Sequence, residues 1–308
     1  MPKVSVVMPV YNREAMVGRA IRSILEQDFQ DFEFLIVDDG SSDRTVEAIR
    51  AFSDGRIRLV NLPGNCGAWM ARNMGLSLAR GEFIATMDSD DVSFPGRLGK
   101  QVEYLQSHAE VDFLGTKAVM VEGENRAPVR HSHDEGVIKA RLLALNGSSM
   151  FHPTTMIRSA FLQQTGLRYL QEPVDDDHRF WIEAMASGAR FAMIEEHLLE
   201  YHRHADNLTA SGNPANRGYF QRKTPMRARV LGLFFPGLTH EEAMAIALSM
   251  EEGRKPSIMD MCLALAAMRK AGTDARSYLG ESKAEVGRIL GEHARRAIRV
   301  LSQQGQPA

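Results

Sequence analysis

Short apolar runs alternate with segments of helical periodicity along the first hundred residues. The apolar, partly β-branched run at residues 4–10 predicts a strand, and apolar side chains between residues 16 and 25 recur at the spacing of one helix face. The same succession repeats in FEFLIVDD with SSDRTVEAIRAF, in IRLVN with PGNCGAWMARNMGLSLARG, and again from GEFIATM. Such alternation indicates βαβ units with right-handed crossovers and a mainly parallel sheet covered by helices on both faces. The predicted fold class is therefore α/β.

The middle of the chain continues this pattern less regularly. Residues 95–108 predict a helix and VDFLGTKAVMV a fifth strand, whereas the polar residues 122–136 predict a loop. A later block of short strands, with a helix over residues 178–187, completes the same domain.

Beyond about residue 215 the strand signals stop and helix-capping signatures take over. Three pairs of residues have the spacing of a capping box: Thr239 with Glu242, Ser257 with Asp260, and Ser282 with Glu285. We therefore predict a helical C-terminal region over residues 215–308, appended to one domain over residues 1–214. That domain divides into a first half, 1–100, and a second half, 101–214.

Length and composition permit a globular protein of this kind. The chain has 308 residues, of which 44% are hydrophobic, and its two cysteines, Cys66 and Cys262, form neither a disulfide framework nor a zinc-type cluster. The N-terminus lacks the features of a secretory signal, and no apolar run approaches the roughly 18 residues of a membrane span. A formal net charge of −2 argues against nucleic acid as the partner. We expect a soluble, cytoplasmic protein.

Polar clusters follow three of the predicted strands. They are Tyr11 with Asn12, Asp38 with Asp39, and the run from Asp88 to Asp91. Because parallel strands end at one edge of a sheet, and α/β proteins bind ligands at that edge, these clusters predict a single site.

The stretch DSDD gathers three carboxylates directly after a buried strand. In an extended chain Asp88 and Asp90 face the same side, and Ser89 and Asp91 face the other. Like charges this close repel unless a cation lies near them, and hard oxygen ligands suit Mg²⁺ or Mn²⁺ shared with substrate phosphates.

Two other interpretations fit this stretch when it is taken alone. One is a solvated loop whose aspartates, Asp91 among them, cap the helix that follows Pro95. The other is the nucleophile motif of haloacid-dehalogenase-like phosphatases, with Asp88 as the nucleophile. That family carries its motif on the first strand, whereas three strands precede it here.

Four segments in a fixed order carry a more specific signal. PVYN, VDDGSSD, NCGAWMARNMG and DSDD follow successive predicted strands, and in this order they resemble family 2 glycosyltransferases of the GT-A fold. The resemblance covers roughly residues 3–210. It implies a nucleotide-sugar-binding half over residues 1–100, an acceptor-side half over 101–214, and inversion at the anomeric carbon of the transferred sugar.

The resemblance also implies which residues bind the donor and the metal ion. The donor residues it implies are Pro9, Tyr11, Asp39, Gly67, Arg72, Asp88 and Ser89. Asp39 would accept hydrogen bonds from the base, while its neighbour Asp38 is expected to have a structural role. Asp90 and His204, the latter in YHRHADNLT, would hold Mn²⁺ or Mg²⁺.

The segment EPVDDDHRFWIEAMASG resembles the part of the family that supplies the general base. We predict Asp177 as that base and place four further residues beside the acceptor: His152, Thr154, Asp176 and Trp181. Carboxylates before a helix also cap it and interact favourably with its dipole, and the two roles are compatible. His131 and His133 match no family feature and are expected to be solvated.

The predicted function is transfer of a sugar, of the hexosyl or N-acetylhexosaminyl type, from a UDP-sugar to an acceptor hydroxyl. The acceptor would be a glycan or glycolipid in surface polysaccharide or glycolipid synthesis. The alternatives are the dehalogenase-type phosphatase and a non-catalytic partner of a glycosyltransferase. Residues 218–238 interleave basic and aromatic side chains, which permits peripheral contact with the inner face of the cell membrane, or packing of a helix on its neighbours.

Overall fold

The structure, a computed structural model, divides into two compact units. The residues it describes are 1–129, 134–144, 150–171, 176–204, 207, 219–251, 257–273 and 282–304. The first unit comprises residues 1–133 and 150–216, and the second comprises 134–149 and 217–308. His131 and His133 lie outside the described residues.

The first unit begins with alternating strands and helices. They are β1 (Val4–Val10), α1 (Val17–Leu25), β2 (Phe32–Asp38), α2 (Thr45–Arg50), β3 (Ile57–Asn61), α3 (Ala68–Leu78) and β4 (Phe83–Thr86). β1 pairs in parallel with both β2 and β4, and β2 pairs in parallel with β3. The βαβ pattern predicted from the sequence is confirmed.

The rest of the unit extends the sheet with both strand directions. Its elements are β5 (Val92–Ser93), α4 (Arg97–Ser107), β6 (Phe113–Glu122), β7 (Asn125–Pro128), a 3₁₀ turn (His152–Thr154), β8 (Met156–Arg158), α6 (Ser159–Thr165), α7 (Asp176–Ala186) and β9 (Phe191–His202). In the described residues the strand order is β3-β2-β1-β4-β8-β6-β9-β5, with β7 added on β6. β8 runs antiparallel to β4 and β6, whereas the long β6–β9 ladder is parallel.

Both faces of the sheet are covered by apolar side chains. On one face Val6 and Phe34, both fully buried, join the equally buried Ile21 and Ile24 of α1 in a larger apolar cluster. On the other face Val37 packs in a smaller cluster with residues of α3. Each such aliphatic or aromatic side chain contributes about 1.5–3 kcal/mol when it is removed from water. This two-sided burial explains why the strands are continuous apolar runs.

The prediction of a loop over residues 122–136 is wrong in its first part. β7 pairs antiparallel with β6 from Glu122 opposite Asn125, so that Gly123 and Glu124 form a two-residue hairpin connection. Gly123 has φ +60°, which a glycine adopts without strain. All four residues of β7 are exposed. An exposed strand needs no alternation of apolar and polar residues, so its sequence does not predict it.

The second unit is helical in the residues that the structure describes. Its helices are α5 (Glu135–Ala144), α8 (Tyr219–Phe234), α9 (His240–Ser249), α10 (Ile258–Thr273) and α11 (Lys283–Gln304). Thr239 and Glu242 form a reciprocal capping box, and Ser257 and Asp260 exchange the same pair of hydrogen bonds. Glu285, by contrast, pairs with Arg288. The predicted domain over residues 1–214 includes α5, whereas the structure groups α5 with the C-terminal helices.

The segment 218–238 coincides with α8 and the turn after it. Phe234 and Phe235 are 3% and 2% exposed, and Lys223 and Arg227 are buried as well. α8 packs against α5 and α9 within its own unit. No helix in the described part of the chain is long and apolar enough to cross a membrane.

Candidate active site

The loops after β1 and β2 are joined by reciprocal hydrogen bonds. The backbone N–H of Asn12 donates to Ser41 Oγ at 2.9 Å, and Asn12 Oδ1 accepts from the backbone N–H of Ser42 at 2.8 Å. Asn12 has φ +50°, a left-handed conformation that asparagine tolerates better than most residues. This connection holds Tyr11, which is 40% exposed, beside Pro9 at the end of β1.

Asp39 is fixed by the loop that opens α3. Its two carboxylate oxygens accept the backbone N–H groups of Cys66 at 2.8 Å and Gly67 at 2.9 Å. Burial raises the pKa of Asp39, although these two hydrogen bonds act in the opposite direction. Gly67 has φ +93°, so a glycine is required to turn this N–H toward the carboxylate. Each carboxylate oxygen keeps a lone pair with which it can accept a further donor.

Asp38 has a different role from its neighbour. Its carboxylate accepts the backbone N–H of Ser41 at 3.1 Å and so closes the turn after β2. It does not cap α2, since Asp43 accepts the N–H of Thr45, the first residue of that helix, at 3.0 Å. Thus the Asp38 carboxylate closes a turn, and the Asp39 carboxylate accepts hydrogen bonds from the loop that opens α3.

The three carboxylates after β4 have three different sets of partners. Asp88 lies near Arg72 and His152, and Asp90 contacts His204. Asp91 is fully buried and accepts the backbone N–H of His202 at 2.8 Å. The expectation that Asp91 caps α4 is wrong, because the residue before that helix is Gly96, which has no side chain to cap it, and Asp91 is engaged with β9. Ser89 is 8% exposed.

Asp90 and His204 form the pair with the chemistry of a metal site. Asp90 Oδ2 lies 3.0 Å from His204 Nε2 and 3.7 Å from Arg13 Nε, and the Asp90 carbonyl accepts from Arg19 at 2.9 Å. Burial and the charge of Asp88 raise the pKa of Asp90, against the effects of Arg13 and His204. A cation bound next to Asp90 would favour its ionised carboxylate.

These residues fit a divalent cation that is shared with a ligand. In the part of the chain that the structure describes, no group of three or more His, Cys, Asp or Glu residues is arranged to hold a metal ion. Asp90 and His204 offer one oxygen and one nitrogen ligand, so a bound ion would need further ligands. Mg²⁺ and Mn²⁺ commonly complete such a partial shell with water and substrate phosphates.

Arg72 links Asp176 of α7 to Asp88 after β4. It is 9% exposed, and its guanidinium pairs with Asp176 through Nη1 and with Asp88 through Nη2 at 3.5 Å. It also lies over the ring of Tyr169 at 5.6 Å. Burial alone would lower the pKa of Arg72, but the carboxylates of Asp176 and Asp88 outweigh it and raise the pKa. Arg72 is therefore positively charged, and the carboxylates of Asp176 and Asp88 balance its charge.

Asp177 lies in the first turn of α7 with its side chain 27% exposed. Its Oδ1 accepts the backbone N–H of His178 at 2.7 Å and lies 3.4 Å from the ring Nδ1 of the same residue. Burial opposes ionisation, yet the interactions with His178, and after them those with His152 and Arg72, prevail and lower the pKa of Asp177. The carboxylate is thus ionised and accessible.

The other residues predicted beside the acceptor are buried. Thr154 donates its hydroxyl to the Phe151 carbonyl at 2.7 Å and accepts the Thr116 N–H at 3.3 Å, so its hydroxyl serves the 3₁₀ turn. Trp181 is 1% exposed and packs against His152 and His178.

The ordered motifs and the fold both have counterparts in known proteins. A family model described as glycosyl transferase family 2 matches residues 5–166, more than half of the chain. The chain belongs to glycosyl transferase family 2.

Two relatives show the range of the family 2 similarity. An uncharacterised glycosyltransferase of Methanocaldococcus jannaschii is 31% identical over 206 residues, covering 65% of this chain and 70% of that protein. WfgD of Escherichia coli is named a UDP-Glc:α-D-GlcNAc-diphosphoundecaprenol β-1,3-glucosyltransferase. It is 41% identical over 102 residues, covering 33% of this chain and 40% of that protein.

Two solved structures show the fold of this family 2 chain. The crystal structure of residues 1–349 of S. aureus TarS with UDP-GlcNAc matches with a TM-score of 0.67 and 19% identity, covering 98% of this chain and 92% of that one. The mannosyltransferase PcManGT from Pyrobaculum calidifontis, in complex with GDP-Man and Mn²⁺, matches with a TM-score of 0.54 and 17% identity, covering 96% and 87%. The GT-A fold predicted from the sequence is confirmed.

The structure also brings to this site three residues that the sequence pattern does not single out. Arg13, before α1, and Arg19, in its first turn, reach Asp90, and Tyr169 contacts Arg72 and His152. The arginines follow the PVYN segment closely enough for proximity to have included them. LRYLQE around Tyr169 contains no motif, so only the fold reveals that residue.

Proposed function

We propose that the chain is an inverting glycosyltransferase that moves a sugar from a UDP-sugar to a hydroxyl of a glycan or glycolipid. The observation that carries this proposal is the convergence of Asp39, the Asp90–His204 pair and Asp177 at the carboxyl edge of one sheet. Asp39 would recognise the base, the Asp90–His204 pair would compensate charge at the diphosphate, and Asp177 would accept the proton.

The nucleoside would lie between the loops after β1 and β2. Tyr11 presents an exposed ring on which a base can stack, and Asp39 retains lone pairs that can accept a base N–H. A site that hydrogen-bonds one donor group rejects bases that lack it, because its buried acceptor is then left unpaired. The UDP-GlcNAc bound by TarS supports uridine, whereas the GDP-Man bound by PcManGT makes guanosine the competing base in a test.

Mn²⁺ or Mg²⁺ is part of the proposal. Asp90 and His204 would hold the ion, which when bound stabilises the negative charge on the departing diphosphate. Arg13 and Arg19 bring two further positive charges to the same side of Asp90. Anionic phosphates are attracted to this side of the cleft.

Asp177 would take the proton from the acceptor hydroxyl. Its carboxylate is ionised, and its exposed fraction faces solvent, from which an acceptor arrives. A carboxylate with a lowered pKa is a weak base in water. Its strength rises when the acceptor excludes water from Oδ2, because the charged form is then less well solvated.

The acceptor is proposed as a growing glycan or a lipid-linked saccharide. The name of WfgD, which specifies a diphosphoundecaprenol-linked GlcNAc acceptor, supports this class of acceptor. The transferred unit would be a hexose or an N-acetylhexosamine. We place the reaction in the cytoplasm, but not at a membrane contact through 218–238, because Phe234 and Phe235 are buried.

The phosphatase and the non-catalytic partner are not favoured. Asp88 lies near Arg72 and His152, after the fourth strand of a family 2 fold, rather than on a first strand as a phosphatase nucleophile would. A partner without turnover would have no need of the complete set Asp39, Asp90 and Asp177.

A screen of nucleotide sugars tests the proposal. UDP-glucose, UDP-N-acetylglucosamine, UDP-galactose and GDP-mannose are incubated with the protein and Mn²⁺, and nucleotide release is measured. We expect release from a UDP-sugar, its loss on chelation with EDTA, and loss of most activity in Asp90→Ala. Phosphate release from a simple phosphoester, or no release from any nucleotide sugar, would contradict the proposal.

A further inference from the structure

A buried polar atom next to Asp88 has no role in the proposed reaction. His152 is 5% exposed, and its Nδ1 has no hydrogen-bond partner among the described residues. This atom faces Asp88 Oδ1 at 3.8 Å, beyond hydrogen-bond length but within electrostatic reach. Leaving a buried donor or acceptor unpaired costs free energy, which a ligand atom placed at hydrogen-bond distance from Nδ1 would recover.

Tyr169 determines which ring nitrogen of His152 carries the proton. The Tyr169 hydroxyl lies 2.7 Å from His152 Nε2, and burial raises the pKa of Tyr169, which keeps the hydroxyl protonated. With the proton on Nε2, the Nδ1 lone pair would face the carboxylate of Asp88 and be repelled. The favourable arrangement has the Tyr169 O–H donating to Nε2 and the ring N–H on Nδ1.

Tyr169 is itself held by three separate contacts. Its ring stacks on Phe180 of α7 at 4.0 Å, and the guanidinium of Arg72 lies over it. Asn73 of α3 accepts the backbone N–H of Tyr169 at 2.9 Å and donates to its carbonyl at 2.8 Å. The direction of the tyrosine hydroxyl, and through it of the imidazole, is therefore fixed before a substrate binds.

A hydroxyl group is the ligand that satisfies both His152 and Asp88. An oxygen to one side of the line that joins Nδ1 and Oδ1 can accept from the imidazole N–H and at the same time donate its own proton to the carboxylate. A carbonyl or an ether oxygen could only accept. Asp88 is among the residues that the family resemblance assigns to the donor, so we assign this hydroxyl to the donor rather than to the acceptor.

We propose that His152 binds one hydroxyl of the transferred sugar through its Nδ1–H, and that Tyr169 is the positioning residue that orients the imidazole. This inference rests on the proposed function, since it takes the donor to be a nucleotide sugar. It makes His152 a determinant of donor-sugar specificity, because a sugar without that hydroxyl leaves both Nδ1 and Asp88 unpaired.

Two substitutions of His152 separate the two ring nitrogens. In His152→Gln the amide reaches toward the position of Nε2 and keeps the contact with Tyr169, while the group that binds the hydroxyl is lost. In His152→Asn the shorter amide replaces Nδ1 and keeps the hydroxyl contact. The assay is hydrolysis of the fastest donor among UDP-glucose, UDP-N-acetylglucosamine and UDP-galactose, together with its monodeoxy analogues, and it requires no acceptor.

We expect His152→Gln to lower kcat/KM for hydrolysis of the intact donor by about tenfold, with UDP binding unchanged, and His152→Asn to lose less. With one monodeoxy analogue, the ratio of wild-type to His152→Gln activity should fall close to one. A ratio that stays the same for every analogue would overturn the inference. An effect on transfer to an acceptor without any effect on hydrolysis would also overturn it.

Tyr169→Phe tests the positioning role, because it keeps the ring that stacks on Phe180 and removes only the hydroxyl. We expect a smaller loss of kcat/KM that disappears with the same deoxy analogue. Tyr104→Phe is the matched control, since Tyr104 stacks on His108 at 4.1 Å on α4. Equal losses in both variants would contradict the role of Tyr169, whereas a wild type inactive on every nucleotide sugar would overturn the proposed function and this inference with it.

Discussion

At the scale of single residues, Asp177 and its neighbours illustrate how position decides chemical role. Asp176 and Asp177 are adjacent in sequence, yet Asp176 pairs with the buried Arg72 while Asp177 is partly exposed next to His178. The first is committed to a buried ion pair, and removing one partner of such a pair is strongly destabilising. The second is the proton acceptor that we propose, and its side chain is 27% exposed.

Asp177→Asn is expected to abolish most transfer with little effect on binding. The amide has nearly the same shape but cannot take a proton, so kcat should fall by roughly 10²–10⁴-fold while the Kd for UDP stays within about twofold. Glu183→Gln, on the same helix and paired with Arg179, is the control. Isothermal titration with UDP and steady-state kinetics measure the two quantities, and unchanged turnover in Asp177→Asn would defeat the assignment.

The sequence alone located some of these residues and not others. Asp39, Asp90 and Asp177 lie in motifs whose order along the chain is informative. Tyr169 lies in a segment without a motif, and its importance comes from contacts with Arg72 and His152, which are far from it in sequence. A local pattern contains no information about partners that only folding brings together.

At the scale of elements, the loops at the carboxyl edge depend on close approach of backbone to backbone. Gly40, between β2 and α2, has φ +74°, and a Cβ added there would lie 2.6 Å from the backbone of Gly64. Neither the conformation nor the space admits a side chain. The loop that follows β2 and the loop that follows β3 can therefore approach this closely only because residue 40 is a glycine.

Gly40→Ala should destabilise the protein more than Gly123→Ala. Both glycines have positive φ, but nothing lies within 4 Å of a Cβ at Gly123, so the control contains only the conformational cost, about 1 kcal/mol. The extra cost at Gly40 reports the contact with Gly64 and should be accompanied by weaker UDP binding, because Asp39 is next to it. Equal losses in thermal unfolding would show that the loops can separate freely.

The opposite edge of the sheet contains a buried carboxylate that stabilises β2. Glu33 is 5% exposed and accepts hydrogen bonds from Ser5 of β1 and from the backbone and guanidinium of Arg80. Burial opposes its ionisation, but these contacts prevail and lower the pKa of Glu33. A carboxylate with a lowered pKa in the folded state stabilises the fold above the pKa of the unfolded chain. That stability is lost as the pH falls through the folded pKa.

Glu33→Gln is therefore expected to lower the free energy of unfolding by about 1–3 kcal/mol at pH 7. The difference from wild type should shrink below pH ~4.3, where the unfolded glutamate takes up a proton. Urea unfolding at pH 7 and pH 3.5 measures it. The control is Glu82→Gln. The Glu82 side chain is 51% exposed and pairs with Lys3, so this substitution should change stability far less at either pH. If the difference in unfolding free energy between wild type and Glu33→Gln did not depend on pH, Glu33 would not stabilise the fold through its ionised form.

At the scale of the whole molecule, the two units do not follow one another along the chain. α5 lies within the sequence of the first unit, but it packs against α8 and α11 of the second. Ile138 and Leu142, one turn apart on α5, are each 1% exposed. A boundary near residue 214, as the sequence indicates, separates α5 from the helices that cover it.

Truncation after residue 216 should accordingly give a protein that aggregates or binds a hydrophobic dye. Each uncovered aliphatic side chain forfeits about 1.5–3 kcal/mol of burial. Adding Ile138→Lys and Leu142→Lys to the truncated chain should reduce dye binding, whereas the same changes in the full chain should destabilise it. A truncated protein that is monodisperse and does not bind the dye would contradict the packing of α5.

The sequence by itself determined the alternation of strands and helices, the edge at which the polar clusters gather, and the order of motifs typical of family 2. These are consequences of local periodicity and of the rule that parallel strands end together. The tertiary structure alone decided that Asp90 pairs with His204, that Asp88 faces His152, that β8 reverses direction in the sheet, and that α5 joins the C-terminal helices. Those outcomes depend on burial and charge compensation between residues distant in sequence, which a local pattern cannot contain.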